Sequence, residues 1–511
     1  MSESCVKRKI NKKEVVLFPP LIRKGDYIFG SFVKPEQVHG YINDSNPGNL
    51  SDPIGRFPFS LSNIKEATGY AKLVLKDWQK STIEERISIV QKLKEQLEIH
   101  HKKLISLQIR ELGLTSVESL LEIKETLHFL DQLIYEAPQR LKEEGYPDQG
   151  LRFHISPIGV LGMLTPFALS IQTSLLFSTA AILTGNTIVH KPSKYAPGIG
   201  QVLAELWDQT PLPRGVYNMV QGPGSHVGQY LIAQNQLDGL LFAGSHTTAH
   251  EIRKKIAPHL PLVFLLGGKS TVLVLDGANI DLTARSILLG AFRSTGQRPS
   301  NIGRVIVLKS AKEPLLRLLK EGAEQLNIGY GEYQSSFMGP LVSEHWRSRY
   351  LKYGEQLQSE NHHPLLAAQH HSTNENSGDS KQHRGFYVKP AIYEINWRSS
   401  NPYLSSPPPG PILQIYEVDN CNEAIELHNR ISHRRSSSIF CDPEHPNLNA
   451  SLSSMVDQIK TGCLFLNQAP LEHALEVHPQ GASSNGVALG AGLLEKLFYR
   501  KAILQPIGSS S

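Results

Sequence analysis

The sequence lacks the cysteine patterns that would organise a small secreted domain or a zinc site. Among its 511 residues only four are cysteines, Cys5, Cys421, Cys441 and Cys463, and no two of them have the CxxC spacing. Neither a disulfide framework nor a structural zinc site is therefore indicated.

Long apolar runs and long basic runs are missing as well. The longest apolar stretch, Ser174–Thr184, is too short and too mixed to span a bilayer, and no apolar segment near the start is typical of a signal peptide. The net charge of +5 is small for this length, and the basic residues of Lys7–Lys13 are expected to form a solvated tail. We therefore expect a cytoplasmic protein with no nucleic-acid and no membrane partner.

What the sequence does contain is enough length and apolar content for two or more domains. Hydrophobic residues make up 40% and charged residues 19%, which is typical of a soluble globular chain. After a tail of residues 1–26, Tyr27–Phe32 is predicted to be a short strand with a tight turn. A capping box formed by Thr82 and Glu85 predicts the start of a long amphipathic helix that ends near Gly113.

From about residue 153 the pattern alternates between strands and helices. Strands are predicted at Gly159–Leu164, Asn186–His190, Val216–Val220 and Gly239–Phe242, with helices between them. This alternation predicts an α/β fold with a doubly wound parallel sheet, which binds ligands at the carboxyl ends of its strands. A second α/β region begins at the strand Thr271–Leu275.

One low-complexity segment, Gln358–His383, interrupts the second region. Its paired histidines, His362-His363 and His370-His371, are open to two interpretations. They could bind a metal, but no carboxylate or cysteine stands at ligand spacing, so a disordered surface insertion is favoured.

Several short motifs agree in order and spacing with one known family. They are Val220-Gln221-Gly222, Asp238–Ser245, Leu265–Lys269 and Gly296-Gln297-Arg298. With these motifs the chain resembles the aldehyde dehydrogenase superfamily, and most of all the succinylglutamate-semialdehyde dehydrogenases of arginine catabolism. The resemblance extends from about Tyr27 to beyond Asn467.

The resemblance implies an aldehyde dehydrogenase-like fold of three parts. Residues 27–150 and 151–264 would form the dinucleotide-binding domain with its N-terminal helices, and residues 265–460 the catalytic-type domain. Residues 461–511 would return to the first domain and supply an oligomerisation arm, which pairs Leu151–Ile158 with the segment after Gly492. A homodimer or homotetramer is the family habit.

The residues that the family's chemistry requires are replaced in this chain. The family reaction uses a cysteine thiolate as nucleophile, a glutamate as general base, and an asparagine amide with the cysteine N–H as oxyanion donors. Pro299 stands at the nucleophile position and lacks an N–H, Leu265 at that of the base, and Ala168 at that of the asparagine. Pro407 replaces the glutamate that holds the nicotinamide ribose. The nearby hydroxyls of Thr295 and Ser300 have no evident base and are interpreted as ordinary loop residues.

The cofactor motifs are only partly lost. Lys191 and Ser193 keep the family's adenosine-ribose contacts, and Gly244 and Ser245 could place a helix N-terminus against a pyrophosphate. Lys194 replaces a glutamate that would accept bonds from the ribose hydroxyls. It could favour the 2′-phosphate of NADP over NAD, or be an exposed lysine without a role.

Three hypotheses follow from these residues. The chain is a catalytically silent homologue that binds a dinucleotide or a protein partner; or an NAD(P)-dependent oxidoreductase of altered or weak activity on a semialdehyde; or a decaying copy. Pro299, Leu265 and Ala168 together favour the first.

Overall fold

The computed structural model describes residues 21–371, 384–398, 402–442, 455–470, 476–477, 480–483 and 489–505. Its α-helices are α1 Ser62–Trp78, α2 Ile83–Leu107, α3 Ser116–Arg140, α4 Ser170–Leu183, α5 Pro197–Asp208, α6 Gln229–Ile232, α7 His246–Lys255, α8 Ile280–Phe292, α9 Lys309–Glu324, α10 Glu344–Ser359 and α11 Cys421–Arg430. Its strands are β1 Asp26–Ile28, β2 Ser31–Val33, β3 Gly40–Ser45, β4 Pro53–Phe59, β5 Gly145–Tyr146, β6 Leu151–Pro157, β7 Val160–Leu164, β8 Thr187–Lys191, β9 Tyr217–Met219, β10 Gly239–Gly244, β11 Leu262–Leu266, β12 Ser270–Val274, β13 Ile302–Leu308, β14 His363–Leu366, β15 Ala391–Glu394, β16 Ile412–Val418, β17 His433–Arg434, β18 Ser437–Phe440, β19 Leu464–Leu466, β20 Glu476–Val477, β21 Gln480–Gly481, β22 Leu489–Gly490 and β23 Phe498–Leu504.

The two long N-terminal helices begin at reciprocal caps. Thr82 accepts from the backbone N–H of Glu85 while the Glu85 carboxylate accepts from that of Thr82, and Thr115 and Glu118 repeat this arrangement at the start of α3. Gly113 ends the first helical segment at φ 71°, a left-handed value that glycine adopts without strain. The capping box predicted at Thr82 and the helix end near Gly113 are thereby confirmed.

The first sheet has seven strands in the order β11-β10-β7-β8-β9-β1-β2. β7 is the middle one of its five parallel strands, with β8 and β9 on one side and β10 and β11 on the other. The chain therefore changes direction between β7 and β10, which makes their carboxyl ends the switch point where doubly wound sheets bind ligands. The predicted α/β class and doubly wound sheet are confirmed.

The second sheet has the order β14-β15-β16-β13-β12-β18-β19 and is parallel except for β14. β11 lies at one edge of the first sheet, and β12 is an inner strand of the second sheet. The two strands are connected by Gly267, Gly268 and Lys269. The domain boundary predicted after residue 264 would divide β11, so the structure places it after Leu266. Residues 461–466 likewise differ from the prediction, because β19 pairs with β18 in the second sheet.

The first part of the low-complexity segment is ordered in the second sheet. Gln358 and Ser359 end α10, and His363–Leu366 forms β14, paired with β15. The prediction of a disordered insertion is therefore wrong for residues 358–371, because apolar residues such as Leu365 and Leu366 pack against the sheet's core. Residues 372–383 lie outside the described ranges.

Buried apolar side chains cover both faces of each sheet. α4 is buried along its whole length against the first sheet, but it has only 14 residues. Among the described residues, no helix combines the length and apolarity needed to cross a membrane.

A small three-stranded sheet stands apart from both cores, in the order β23-β6-β5. β23 pairs with β6 in antiparallel register from Phe498 opposite Pro157 to Leu504 opposite Leu151. Most side chains of β23 are exposed, including Tyr499 and Leu504. This arm therefore presents an unpaired strand edge to solvent.

Candidate functional site

A cavity of about 280 Å³ opens at the switch point of the first sheet. Leu164 at the end of β7 forms its floor, α7 forms one wall, and the turn before α6 forms the other. The walls are lined by Gly224, Ser225, Gly228, Gln229, Ile232, Thr248, Glu251, Ile252 and Lys255. The cavity is wide enough for a flat base between two walls that combine apolar and polar atoms.

Lys191 ends β8 beside this cavity and is 5% exposed. Its ammonium donates to the carbonyl oxygens of Pro192 at 2.6 Å and Gly222 at 3.2 Å. Burial, and then the charge of Lys194, lowers the pKa of Lys191 to about 8. An ammonium has three donors and the protein engages two, so Lys191 fits a ligand hydroxyl as its third partner.

Two further cofactor candidates, Ser193 and Lys194, follow Lys191 in the chain. Ser193 accepts from the backbone N–H of Tyr195 at 3.2 Å, which forms a tight turn after β8. Lys194 is exposed, with its ammonium 4.9 Å from the centre of the Tyr195 ring. The structure thus brings Lys191, Ser193 and Lys194 together at one end of the sheet.

Gly244 and Ser245 lead from β10 into α7. Ser245 is the N-cap, and its hydroxyl accepts from the backbone N–H of Thr248 at 3.1 Å. The first turn of α7 has no acidic residue, so its remaining N–H groups offer a positive dipole end to an anion. Gly244 and Ser245 therefore lie where the sequence predicts a pyrophosphate contact.

Pro299, at the family's nucleophile position, lies in a tight turn before β13. The backbone N–H of Arg298 donates to the Asn301 side chain at 2.7 Å, and Asn301 N–H donates back to the Arg298 carbonyl at 3.2 Å. Proline suits the second position of such a turn because its ring fixes φ. Pro299 thus stabilises the loop without supplying any reactive atom.

The backbone before Pro299 is nevertheless strained. Ser294 and Thr295 have φ values of 51° and 54°, which residues with a Cβ atom rarely adopt. Gly296 follows at φ 65°, and a Cβ there would come within 2.3 Å of the Gly410 carbonyl oxygen. Such strain is typical of functional sites, and here it persists although the nucleophile is absent.

Ala168 lines a small cavity together with Ser294 and Arg298 of this loop, and both Ala168 and Leu265 contribute only apolar surface. Leu265 is in β11, paired with Ala243 of β10, and packs against the core of the first domain. Ala168 lies between β7 and α4, next to Leu169, whose φ is 52°. Neither side chain can take a proton or donate to an oxyanion.

A second, much smaller cavity lies beside Ser294 and Arg298 of this loop. The cavity lined by Phe167, Ala168 and Arg298 measures only about 10 Å³, which is roughly the volume that one water requires. Phe167 contacts the rings of both Tyr195 and Trp346 edge-on at 5.7 Å between ring centres. A substrate cannot enter this cavity without displacing these groups.

Arg298 closes the cavity from within and is 3% exposed. Its guanidinium donates to the hydroxyl of Ser294 at 2.9 Å and to the carbonyl of Glu118 at 3.4 Å, and it lies 3.8 Å from the Glu125 carboxylate. The Glu118 carboxylate in turn accepts from the N–H and the hydroxyl of Ser294. These contacts fasten the strained loop to α3.

The hydroxyls of Ser294 and Thr295 are held in hydrogen bonds, and the described thiols are disfavoured as thiolates. Thr295 donates its hydroxyl to the Gly339 carbonyl at 2.8 Å, and Ser294 is held between Glu118 and Arg298. Burial raises the pKa of the thiols of Cys421, Cys441 and Cys463, which disfavours the thiolate that attacks carbonyls. Cys5 lies outside the described residues.

The Pro407 loop is anchored to the second sheet by two buried cations. Lys269 donates to the carbonyl of Gly410, and Arg304 donates to the carbonyls of Tyr403 at 2.8 Å and Ser406 at 2.5 Å. Burial, and then the charge of Arg304, lowers the pKa of Lys269 to about 7. Pro407 has no donor or acceptor side chain, so the loop keeps its position but not the ribose contact.

Sequence reasoning missed two groups of residues. The walls of the open cavity were visible only as a weak glycine pattern around Gly224 and Gly228. The glutamates of α3 have a helical spacing of four and three residues, but no motif marks them in the sequence. The structure buries Glu118, Glu122 and Glu125 beside Arg298.

The chain is thus a two-sheet α/β protein with an open crevice at the first sheet's switch point and a closed, strained loop opposite. A profile of the aldehyde dehydrogenase family matches residues 32–503. The chain therefore belongs to the aldehyde dehydrogenase family, as its motifs predict.

Curated relatives are distant and differ in substrate. The chain is 28% identical over 450 residues to "Alpha-ketoglutaric semialdehyde dehydrogenase" of Bacillus subtilis, which covers 86% of this chain and 89% of the relative. It is also 28% identical over 389 residues to "N-succinylglutamate 5-semialdehyde dehydrogenase 1" of Caulobacter vibrioides, covering 75% and 79%. A succinylglutamate-semialdehyde dehydrogenase is thus among the relatives, but equal identity to another enzyme leaves the substrate open.

Solved structures share the complete fold. Aldehyde dehydrogenase C of Pseudomonas syringae, complexed with NAD+ and octanal, superposes with a TM-score of 0.87 at 21% identity, covering 97% of this chain and 99% of that one. The NAD+ complex of an aldehyde dehydrogenase from Bacillus cereus gives 0.87 at 23% identity, covering 95% and 97%.

Proposed function

We propose that this chain is a catalytically silent aldehyde dehydrogenase homologue that binds NAD or NADP through the adenosine half of the molecule. The observation that carries the proposal is the buried Lys191 ammonium beside the open cavity, with one donor left for a ligand. The NAD+ complexes of structural neighbours support the choice of ligand. Adenine would enter the cavity, the adenosine ribose would contact Lys191 and Ser193, and the pyrophosphate would meet Ser245.

The nicotinamide half fits the cofactor poorly. Pro407 cannot accept a bond from a ribose hydroxyl, and Leu265 supplies no polar atom on the opposite side. We therefore propose that binding is weaker than in an active family member, and that the nicotinamide end is loosely held. Hydride transfer to the nicotinamide would have no covalent intermediate to start from, because Pro299 cannot attack an aldehyde.

The proposal is tested by calorimetry with NAD, NADP and ADP-ribose at low salt, run beside an aldehyde oxidation assay. We expect ADP-ribose to bind nearly as tightly as NAD, since the nicotinamide adds few contacts. Lys191→Met should weaken binding of all three ligands, while Lys352→Met, at an exposed position of α10, should not. No binding at millimolar concentration would leave a protein-binding or decaying chain as the better interpretation.

The competing function is oxidation of a semialdehyde with altered or weak activity, which the names of the relatives favour. Turnover that depends on NAD or NADP in the same assay would establish it. The closed cavity of about 10 Å³ beside Arg298 is the observation against it.

We also propose that the chain forms a homodimer or homotetramer through its arm. The outer edge of β23 is unpaired and mostly exposed, and such an edge readily pairs with another strand. Light scattering at micromolar concentration should show at least a dimer. A monomeric mass would contradict this, and Ala502→Pro, which blocks strand pairing on β23, should lower the mass if the edge is used.

A further inference from the structure

Four buried bases lie together at the amino end of the second sheet, beneath the Pro407 loop. They are Lys269, Arg304, His428 and His433. Burial lowers the pKa of His428 to about 4 and that of His433 to about 4, and the charge of Arg304 contributes to both and to the lowered pKa of Lys269. In the part of the chain that the structure describes, no carboxylate forms an ion pair with any of them. The cluster therefore brings several hydrogen-bond donors together without a paired anion.

Arg304 is the permanent charge of this cluster, and it is fully buried in β13. One terminal nitrogen serves the carbonyls of Tyr403 and Ser406. Among the described residues its Nε and Nη1 have no hydrogen-bond partner, which leaves three N–H groups unused. Buried N–H groups that lack a partner are costly, so these groups indicate a ligand that accepts hydrogen bonds.

His433 lies in β17 and is 5% exposed, and neither of its ring nitrogens has a hydrogen-bond partner among the residues that the structure describes. Its side chain packs on Gly268, where an added Cβ would come within 2.4 Å of it. The ring lies 6.0 Å from that of His246, the first residue of α7. Beside them Gly267 faces open space, since a Cβ there would meet only the Gly244 carbonyl oxygen at 3.7 Å.

We propose that His433 and Arg304 bind the oxoanion, a phosphate or carboxylate group, of a small ligand that enters past Gly267. Every unused group on the two side chains is a donor when the imidazole is protonated, and oxoanions accept several bonds without donating any. The site goes beyond the dinucleotide proposal, because neither residue belongs to the adenosine half. The charged or titratable groups that act on His433 are Arg304 from β13 and His246 from α7.

Anion binding should be coupled to proton uptake. His433 is neutral near pH 7 in the free protein, and a neighbouring anion stabilises its charged form. The affinity should therefore rise as the pH falls, by up to about tenfold per pH unit between the raised pKa of His433 in the complex and its pKa of about 4 in the free protein. Loss of this slope is a signature that a merely structural role of His433 would not produce.

The test is calorimetry of the full-length protein with inorganic phosphate in one arm and acetate in the other, at several pH values. His433→Phe keeps the ring on Gly268 but removes both nitrogens, and we expect it to weaken binding at least about tenfold and to abolish the pH slope. His259→Phe, at an exposed position between α7 and β11, is the matched control and should change neither. The arm with the tighter binding identifies the anion's class.

Two results would overturn the proposal: equal binding by His433→Phe and the unaltered protein, or no binding of either probe at millimolar concentration. If His433→Phe does not fold, NMR of the imidazole in the unaltered protein decides, because phosphate or acetate should raise the pKa of His433 by at least about one unit. ADP-ribose titrations of the same variants keep the two proposals distinguishable, since His433→Phe should bind ADP-ribose as the unaltered protein does.

Discussion

Two cavities of the protein differ greatly in size. At the first sheet's switch point, the open half of the site, the protein leaves about 280 Å³ between α6 and α7. Beside Ser294 and Arg298, the closed half, it leaves about 10 Å³. The open half is bounded by backbone, glycines and the ends of helices, whereas the closed half is filled by Phe167, Arg298 and their neighbours.

This contrast indicates that catalysis is more sensitive to single substitutions than ligand binding is. Binding at a switch point depends on strand order and helix ends, which the whole fold enforces. Catalysis depends on single side chains, and Pro299, Leu265 and Ala168 can each occupy their positions without disturbing the strands around them. The strained backbone at Ser294 is held by hydrogen bonds with Glu118 and Arg298.

The largest expected effect is on catalysis. We expect no aldehyde oxidation with NAD or NADP, since loss of a nucleophile costs on the order of 10⁶ in rate and loss of an oxyanion donor about 10²–10³. Pro299→Cys alone should not restore activity, because Leu265 and Ala168 remain and the cavity is closed.

The assay is cofactor reduction followed by absorbance, and thiol labelling of Pro299→Cys serves as the control that the new cysteine is reachable. Turnover by the unaltered chain that survives alkylation of its four cysteines would show that another nucleophile acts. Strong activity of Pro299→Cys would show that the closed half opens on its own.

The next effect concerns the ion cluster that closes the cavity. Arg298→Met removes the buried cation and leaves Glu118 and Glu125 without it, which should lower the free energy of unfolding by about 3–5 kcal/mol. Chemical denaturation measures this. Arg285→Met, at an exposed position of α8, is the matched control and should stay within about 0.5 kcal/mol. Equal stability of the two variants would mean that the glutamates are not held by Arg298.

A pH experiment tests how the buried carboxyl group of Asp26, in β1 of the first sheet, affects the free energy of unfolding. Asp26 accepts from the backbone N–H of Gln221 at 2.7 Å and from Asn63 at 2.8 Å, and burial raises its pKa to about 7. Because the folded state binds this proton more tightly than the unfolded state, the associated stability is complete below about pH 4 and is lost as the pH rises through 7.

Asp26→Asn removes that titration. Relative to the unaltered protein, the variant should gain up to about 4 kcal/mol in unfolding free energy between pH 4 and pH 8. Denaturation curves at both pH values measure the difference, and Asp281→Asn at an exposed position is the control. A difference that does not change with pH would show that Asp26 is ionised throughout.

Local signals in the sequence were enough to predict much of the fold. Thr82 with Glu85, and the alternation from β7 to β10, follow from propensity and spacing alone, and the motifs around Gly222 and Gly267 identify the family. The boundary after Leu266 was missed because the family motif begins inside β11. The ion cluster was missed because Arg298 and Glu118 are far apart in sequence. The open cavity was missed because its lining residues come from separate segments and form no recognisable motif.

The smallest expected effect is the choice between NADP and NAD. Lys194 is exposed and its ammonium lies 4.9 Å from the Tyr195 ring centre, so a 2′-phosphate would meet a solvated and partly engaged charge. The preference for NADP should then be worth on the order of 1 kcal/mol, or roughly fivefold in dissociation constant, and should shrink with added salt. Lys194→Glu should reverse it, because a carboxylate accepts from the ribose hydroxyls and repels the phosphate. Calorimetry with both cofactors measures the ratio, and Lys352→Glu makes the same change in net charge far from the opening. If Lys194→Glu and Lys352→Glu give the same ratio, Lys194 has no part in cofactor choice, and the open half binds adenosine without reading its 2′ position.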